Sequence, residues 1–254
     1  RVRGEIQLRD VCLEIDGQPI LRNISFTIPS GATYAVVGPL GSGKSSLVHL
    51  IARLADPTAG QILLDGVDIR DVPLAQLRQQ IGFVPQETFL FSGSLRDNVA
   101  SGVSTAEATE SRIRAAVHLS RLDNDLDQWP NGLDTLIGER GVTLSGGQKQ
   151  RTAIARAVAK DPAILVLDDA LSSVDTRTEE AVLDSLREFM QRRTSIIIAH
   201  RLSTTRSADQ VVVLDRGRIV EQGTHAELVA RGGLYTRVYR RQLIAQEMDL
   251  EDQE

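Results

Sequence analysis

Aromatic residues are scarce in this chain. They make up 4% of its 254 residues, with one Trp and three Tyr, and there is a single cysteine, Cys12. One cysteine cannot close an internal disulfide, so a disulfide-stapled secreted scaffold is excluded and a reducing cytosolic setting fits. Cys12 itself reads as a small buried hydrophobe of a strand. Long hydrophobic runs are missing too. The longest aliphatic stretches, Ala163–Leu167 and Ile196–Ala199, fall far short of the roughly 18 apolar residues that cross a bilayer. No signal peptide is visible, and the opening on Arg1 rather than Met suggests a piece of a longer polypeptide. Basic charge is not in excess either. The 29 Lys and Arg face 34 Asp and Glu, a net charge of −5, which weighs against a general nucleic-acid binder.

The chain is 41% hydrophobic and 25% charged, the composition of an ordinary globular domain rather than a disordered one. Glu5–Ile15 and Ile20–Ile28 alternate as strands around Asp16-Gly17, and Gln61–Ile69 reads as a hairpin turning at Asp65-Gly66. Thr33–Val37 is a short apolar strand that leads through a glycine-rich loop into a helix over Lys44–Leu54. Ile81–Val84 is another strand. From about Ser94 to Lys160 the spacing turns helical, over Ala106–Leu119 and Gly147–Val158. The α/β pattern then resumes with strands Ile164–Leu167 and Ser195–Ala199, a helix Glu179–Met190 between them, and a hairpin Val211–Val220 around Arg216-Gly217. Aliphatic runs this short suit parallel strands buried on both faces. The last helix, Leu234–Glu247, leads into an acidic tail, Met248–Glu254, expected to fray.

Gly38-Pro39-Leu40-Gly41-Ser42-Gly43-Lys44-Ser45 fits the phosphate-loop pattern GxxxxGK[ST]. Glycines let the backbone curl so that its N–H groups converge on phosphate oxygens, aided by the dipole of the following helix. Lys44 would reach the β- and γ-phosphates and Ser45 would ligate Mg²⁺. A chance match in a chain this long has odds of about 1% at average residue usage. Ala163-Ile164-Leu165-Val166-Leu167-Asp168-Asp169 supplies a buried strand carrying Asp168 out at its C-terminal edge, where a carboxylate can hold the same ion. Leu144-Ser145-Gly146-Gly147-Gln148 adds a hydroxyl and two glycine amides at a helix start, a second anion cradle far from the first. His49 and His118, without such context, read as ordinary helix residues.

With this second cradle the sequence resembles the nucleotide-binding domain of an ATP-binding cassette transporter, over essentially its whole length. The resemblance implies an α/β fold: a P-loop NTPase (RecA-like) core, an N-terminal antiparallel β subdomain and an inserted α-helical subdomain. It divides the chain into 1–93 (β subdomain and P-loop part of the core), 94–160 (helical subdomain) and 161–254 (the remaining core and C-terminal helix). It places ATP on residues 38–45 and Ser46. It lets Ser145, Gly146, Gly147 and Gln148 close over the ATP of a second, head-to-tail domain, and makes Ser172-Ser173-Val174-Asp175 a dimer-contacting loop. Gln86 matches the glutamine that senses Mg²⁺ and the attacking water, and His200 the histidine at the γ-phosphate. Mg²⁺ would then be held by Ser45, Gln86 and Asp168. Gly138-Glu139-Arg140-Gly141, Thr88–Gly93 and Leu95-Arg96-Asp97-Asn98 resemble exporter segments that touch transmembrane domains. Those domains, at the cytoplasmic face of the plasma (inner) membrane, are the implied partners, and no nucleic acid is.

Two positions depart from that family. Asp169 stands where Glu usually polarises the attacking water. The loss of one methylene retracts the carboxylate by roughly 1.5 Å, and a 1 Å misplacement can cost about 10²-fold in rate. Ile15 stands where an aromatic usually stacks on adenine, which forgoes a π contact of about 1 kcal/mol. The expected activity is therefore an ATPase whose own site is slow, serving an exporter as the degenerate half of a heterodimer. The alternatives are a slow symmetric homodimer and a regulatory clamp that binds ATP without turning it over. A soluble DNA-repair or translation cassette is disfavoured by the acidity and by the absence of a second cassette or coiled coil.

Overall fold

The computed structural model describes residues 2–104, 107–138, 142–198 and 202–251. Among the sequence-derived candidates, His200 and the stretch Glu139-Arg140-Gly141 lie outside the described residues. The chain divides into two units, one holding the residues up to Leu74 and from Thr194 onward, the other Ala75–Arg193.

In the first unit, β1 (Ile6–Ile15) and β2 (Gln18–Ile28) form an antiparallel pair. Asp16 (φ 50°) and Gly17 (φ 75°) turn between them, the backbone that a tight hairpin needs to match strand twist. β1 also pairs with β4 (Ala59–Leu64), which folds back at Asp65-Gly66 onto β5 (Val67–Asp68), giving the antiparallel order β2-β1-β4-β5. Ile6 and Leu8 are buried, and so are Val11 and Leu13. A register shift between Leu8 and Val11, with Asp10 at φ 48°, inverts the alternation. That inversion corrects the reading of Cys12. Continued period two would have buried it, whereas it lies half-buried with its Sγ 3.2 Å from Asn23 Oδ1.

The same unit holds β3 (Thr33–Val37) between β10 (Thr194–Ile198) and β11 (Gln210–Asp215), all parallel, with β12 (Arg218–Gly223) antiparallel at the edge. The central strands are buried almost throughout, as expected of strands covered on both faces. The helices are α1 (Lys44–Ile51), α8 (Leu202–Ser207), α9 (His225–Arg231) and α10 (Leu234–Glu251). α1 ends before the expected Leu54 because Arg53 turns left-handed (φ 50°) and its guanidinium donates to Ile69 O and Val72 O. α10 runs as helix into the acidic tail as far as Glu251. Ala35, Val37, Val211, Val213, Leu228 and Tyr235 pack as one buried cluster.

The second unit pairs β6 (Ile81–Val84) with β9 (Ile164–Asp168) in parallel and the short β7 (Gly93–Ser94) with β8 (Leu136–Ile137). Its helices are α2 (Leu74–Gln80), α3 (Leu95–Ala100), α4 (Glu110–Leu119), α5 (Asp123–Leu126), α6 (Gly146–Ala159) and α7 (Thr176–Met190). The starts of α4 and α7 are set by caps. Thr109 accepts the Arg112 N–H, so α4 begins later than the spacing suggests, and Asp175 accepts the Thr178 N–H, so α7 begins earlier. The fold is the mixed α/β P-loop architecture with an antiparallel β subdomain that the sequence implies.

Candidate phosphate and signature sites

The loop Gly38–Ser45 leaves β3 and enters α1. It is bent by Gly38 (φ 155°), Gly41 (φ 75°) and Gly43 (φ 100°). Gly38 could not carry a side chain, since a Cβ there would lie 2.1 Å from Leu214 O, and at Gly43 the positive φ itself disfavours one. The loop is also propped from a direction the sequence did not reveal. Gly217, in the β11–β12 turn, donates its N–H to Ser42 O at 3.1 Å and approaches so near that a Cβ there would sit 2.2 Å from Ile20 O. A hairpin glycine thus serves the phosphate loop, and hairpin spacing alone carries no sign of it.

Gly43 caps α1 without any side-chain hydrogen bond, which leaves the positive end of the helix to another acceptor. Ser42 Oγ is buried and without a hydrogen-bond partner. Lys44 is buried, and its Nζ donates to Gly38 O at 2.9 Å and Pro39 O at 3.0 Å, holding the ammonium over its own loop. Leu40 at the tip is 99% exposed. Ser45 and Ser46, in the first turn of α1, are half-buried, and Ile15 ends β1 exposed. An orphaned polar atom, a helix start without a side-chain cap and a cradle closed to Cβ atoms fit a phosphate chain. No group of three or more His, Cys, Asp or Glu among the described residues could hold a metal.

In the second unit Asp168 ends β9, buried. Asp169 follows in the left-handed region (φ 49°), and its Oδ2 accepts from Gln86 Nε2 at 3.1 Å. Two residues far apart in sequence, both selected for chemistry, are therefore bonded to one another. Gln86 is otherwise exposed and Asp169 half-buried.

Ser145 caps α6 through a reciprocal pair. Its Oγ accepts the Gln148 N–H at 3.2 Å, while Gln148 Oε1 accepts the Ser145 N–H at 2.9 Å. Because Oγ acts as acceptor in this cap, its own O–H is left to donate elsewhere. Gln148 Nε2 donates to Asp125 Oδ1 at 2.9 Å, and Asp125 Oδ2 in turn holds Arg151 Nη1 at 2.6 Å. Gln148 is thus a brace within the unit at both ends of its amide. Gly146 and Gly147 are glycines for close approach: Cβ atoms there would lie 3.1 Å from Ser173 Cβ and 3.1 Å from Ser173 O. The loop Ser172–Asp175 therefore packs directly on the start of α6. Ser172, Ser173 and Asp175 are exposed and Val174 is buried. Bonds from the backbone and side chain of Thr178 hold the Asp175 carboxyl below its ordinary value.

Phe89 and Phe91 are 69% and 52% exposed and meet edge to face at 5.3 Å. Beneath them the buried Asn98 bonds both polar backbone groups of Phe91, and Arg156 donates to Phe89 O and Asn98 Oδ1. Desolvation lowers the pKa of Arg156. Ser94 and Asp97 cap α3 reciprocally. The segment is a built platform for two rings, not a loose loop.

Among the described residues no helix is long and apolar enough to cross a membrane. The sequence profile described as ABC transporter matches residues 21–172. The chain is 47% identical over 242 residues to an ATP-dependent lipid A-core flippase of Syntrophus aciditrophicus (strain SB), covering 95% of this chain and 40% of that protein. It is 44% identical over 253 residues to the mitochondrial iron-sulfur clusters transporter ATM1 of Chaetomium globosum, covering 98% and 41%. Among solved structures, a bacterial Atm1-family ABC exporter with ATP bound superposes with a TM-score of 0.90 at 42% identity, covering 95% of this chain and 42% of that one. The chain spans about two fifths of the length of these relatives. On profile, relatives and fold together, it belongs to the ABC transporter family, as a nucleotide-binding domain.

Proposed function

We propose that this chain is the ATP-hydrolysing motor domain of an exporter, closing with a second nucleotide-binding domain around Mg·ATP at the cytoplasmic face of the plasma (inner) membrane. The observation that carries the reading is the phosphate loop, with its glycine turns, the α1 start without a side-chain cap and Lys44 folded over it. The loop amides and Lys44 would grip the β- and γ-phosphates, Ser45, Asp168 and Gln86 would hold Mg²⁺, and Ile15 would lie against adenine. Mg²⁺ supplies, when bound, positive charge that neutralises the phosphate oxygens during phosphoryl transfer. Asp169 would accept the proton of the attacking water with His200 on the γ-phosphate side, while the Gln86 amide sets the direction of its carboxylate. Ser145, Gly146, Gly147 and the braced Gln148 would close the second domain's nucleotide, with Ser172–Asp175 alongside. The exposed Phe89 and Phe91 would meet transmembrane domains, as in a family whose relatives include flippases and Atm1-type exporters.

The finer reading is that this chain is the slow half of an asymmetric pair. It is supported by the shortened carboxylate at Asp169 beside an intact Leu144–Gln148 motif. The test is direct. Lys44→Ala should lower ATP affinity at least tenfold by calorimetry, since it removes a charge facing phosphates in a site where charge-assisted bonds are strong. Chelating Mg²⁺ should weaken ATP binding to the parent chain as well. Equal affinity in parent and variant overturns the phosphate-loop assignment. Tight binding with no single-turnover hydrolysis in the assembled transporter would favour the non-hydrolysing clamp.

A further inference from the structure

Sequence motifs do not single out Gln150, two residues past the Leu144–Gln148 stretch. It is 3% exposed, on the second turn of α6. Its side-chain amide is used at both ends on one target: Nε2 donates to Ser172 Oγ at 2.9 Å, and Oε1 accepts the Ser173 N–H at 2.9 Å. The same loop is pressed against α6 by Gly146 and Gly147, where any side chain would meet Ser173. Its far end is fixed by Val174, buried, and by Asp175 capping α7. Below, Gln148 and Arg151 anchor the first turns of α6 to Asp125. Between the exposed α6 start and the exposed Ser172-Ser173 pair, close glycine contacts are thus joined by two directional bonds from Gln150.

We propose that Gln150 is a positioning residue that fastens loop 172–175 to the N-terminus of α6, so that both segments meet the second nucleotide-binding domain as one surface. This rests on the dimer-closing function proposed above. With the fastener in place, ordering one segment orders the other. Without it, closure must order two segments separately and bears the additional entropy. The role concerns closure, not the grip of this chain's own phosphate loop.

The test uses the full-length transporter that contains this chain, reconstituted with its partner domain. Closure is read as the ATP concentration that half-saturates a fluorescence-transfer signal between the two domains, and nucleotide affinity as ATP binding to this chain's own loop. Gln150→Ala removes two hydrogen bonds and should raise the half-saturating concentration about tenfold, with affinity at the loop within twofold. Gln150→Glu should recover most of the loss, since one carboxylate oxygen can accept the Ser173 N–H and the other the Ser172 O–H. Ser172→Ala, which deletes one bond without opening the core, should give a smaller shift in the same direction. A merely structural role would lower closure and loop affinity together and would not be rescued by a buried charge. Unchanged closure in Gln150→Ala, or equal loss in closure and loop affinity for both Gln150→Ala and Ser172→Ala, overturns the proposal. A parent transporter that binds ATP but never closes overturns the dimer reading itself, a result recognisable because it appears before any substitution is made.

Discussion

At Asp169 two local requirements meet. The backbone is left-handed (φ 49°) and the carboxylate is bonded to Gln86. Asp tolerates that backbone better than most residues because its short polar side chain can bond locally. If Asp169 faces the attacking water, as proposed above, a glutamate would regain reach at the cost of some strain. Asp169→Glu should therefore raise ATP turnover about tenfold or more in the assembled transporter, since misplacement near 1 Å is worth about 10²-fold and part of that is returned. ATP affinity should stay within twofold. Steady-state phosphate release alongside calorimetry measures both. Turnover unchanged with binding intact would mean that reach is not what limits this site. The Gln86 bond bears on the result too, because Gln86→Ala should lower turnover in the glutamate variant less than in the parent if the longer side chain no longer depends on it.

Elements in this chain are fastened by polar groups whose partners lie far away in sequence. α10 shows it. Glu221 accepts the N–H groups of Leu234 and Tyr235 at the helix start, His225 Nδ1 lies 2.7 Å from Tyr235 OH, and Arg206 of α8 reaches the Tyr239 hydroxyl and ring. Burial first, then the charge of Arg206, lowers the His225 pKa below its ordinary 6.5. A histidine held neutral in the fold contributes stability that is present above pH 6.5 and is lost as pH falls through the lowered value. The first turns of α10 should therefore lose hydrogen-exchange protection between pH 7.5 and 5.5, after correction for intrinsic exchange. His225→Gln, which keeps a polar group without titrating, should flatten that dependence. Equal pH dependence in both chains would remove His225 from the account. The same long-range fastening explains what sequence spacing could and could not convey. The β strands, the phosphate loop and the start of α6 follow local periodicity and glycine placement, so Thr33–Val37, Ile81–Val84, Gly38–Ser45 and Ser145–Gln148 were legible. Cys12 was misread because a bulge at Asp10 inverts the strand phase, and short-range alternation cannot foresee a bulge set by pairing with β2. Gly217, Gln150 and the Gln86–Asp169 bond were invisible because each acquires its meaning from a residue distant in sequence.

For the molecule as a whole, the proposed pairing of two domains makes asymmetry between two nucleotide sites testable. If Asp169 makes this chain's own site slow, most turnover occurs where the partner supplies the phosphate loop and this chain supplies Ser145, Gly146 and Gly147. A variant that blocks that contribution must leave α6 folded. Gly147→Asp would confound the test, since its Cβ would meet Ser173 O at 3.1 Å and press on loop 172–175 as well. Ser145→Asp separates the two effects. Asp caps helices as well as Ser, so the Gln148 N–H keeps its acceptor and the helix start gains a favourable charge. The hydroxyl donor, however, is replaced by a carboxylate facing phosphate, where charge stabilisation of the transition state is most sensitive. Ser145→Asp should therefore lower ATPase and transport at least a hundredfold, with thermal stability within a few degrees of the parent. Lys44→Ala, which disables only the site that is already slow, should retain a third or more of the activity, on the order of the modest loss expected when the rate-bearing interactions are untouched. A symmetric homodimer predicts no such ordering, because each substitution would strike both sites. The asymmetric reading is falsified if the two variants, each paired with an unaltered partner domain, lose activity equally or Lys44→Ala loses more.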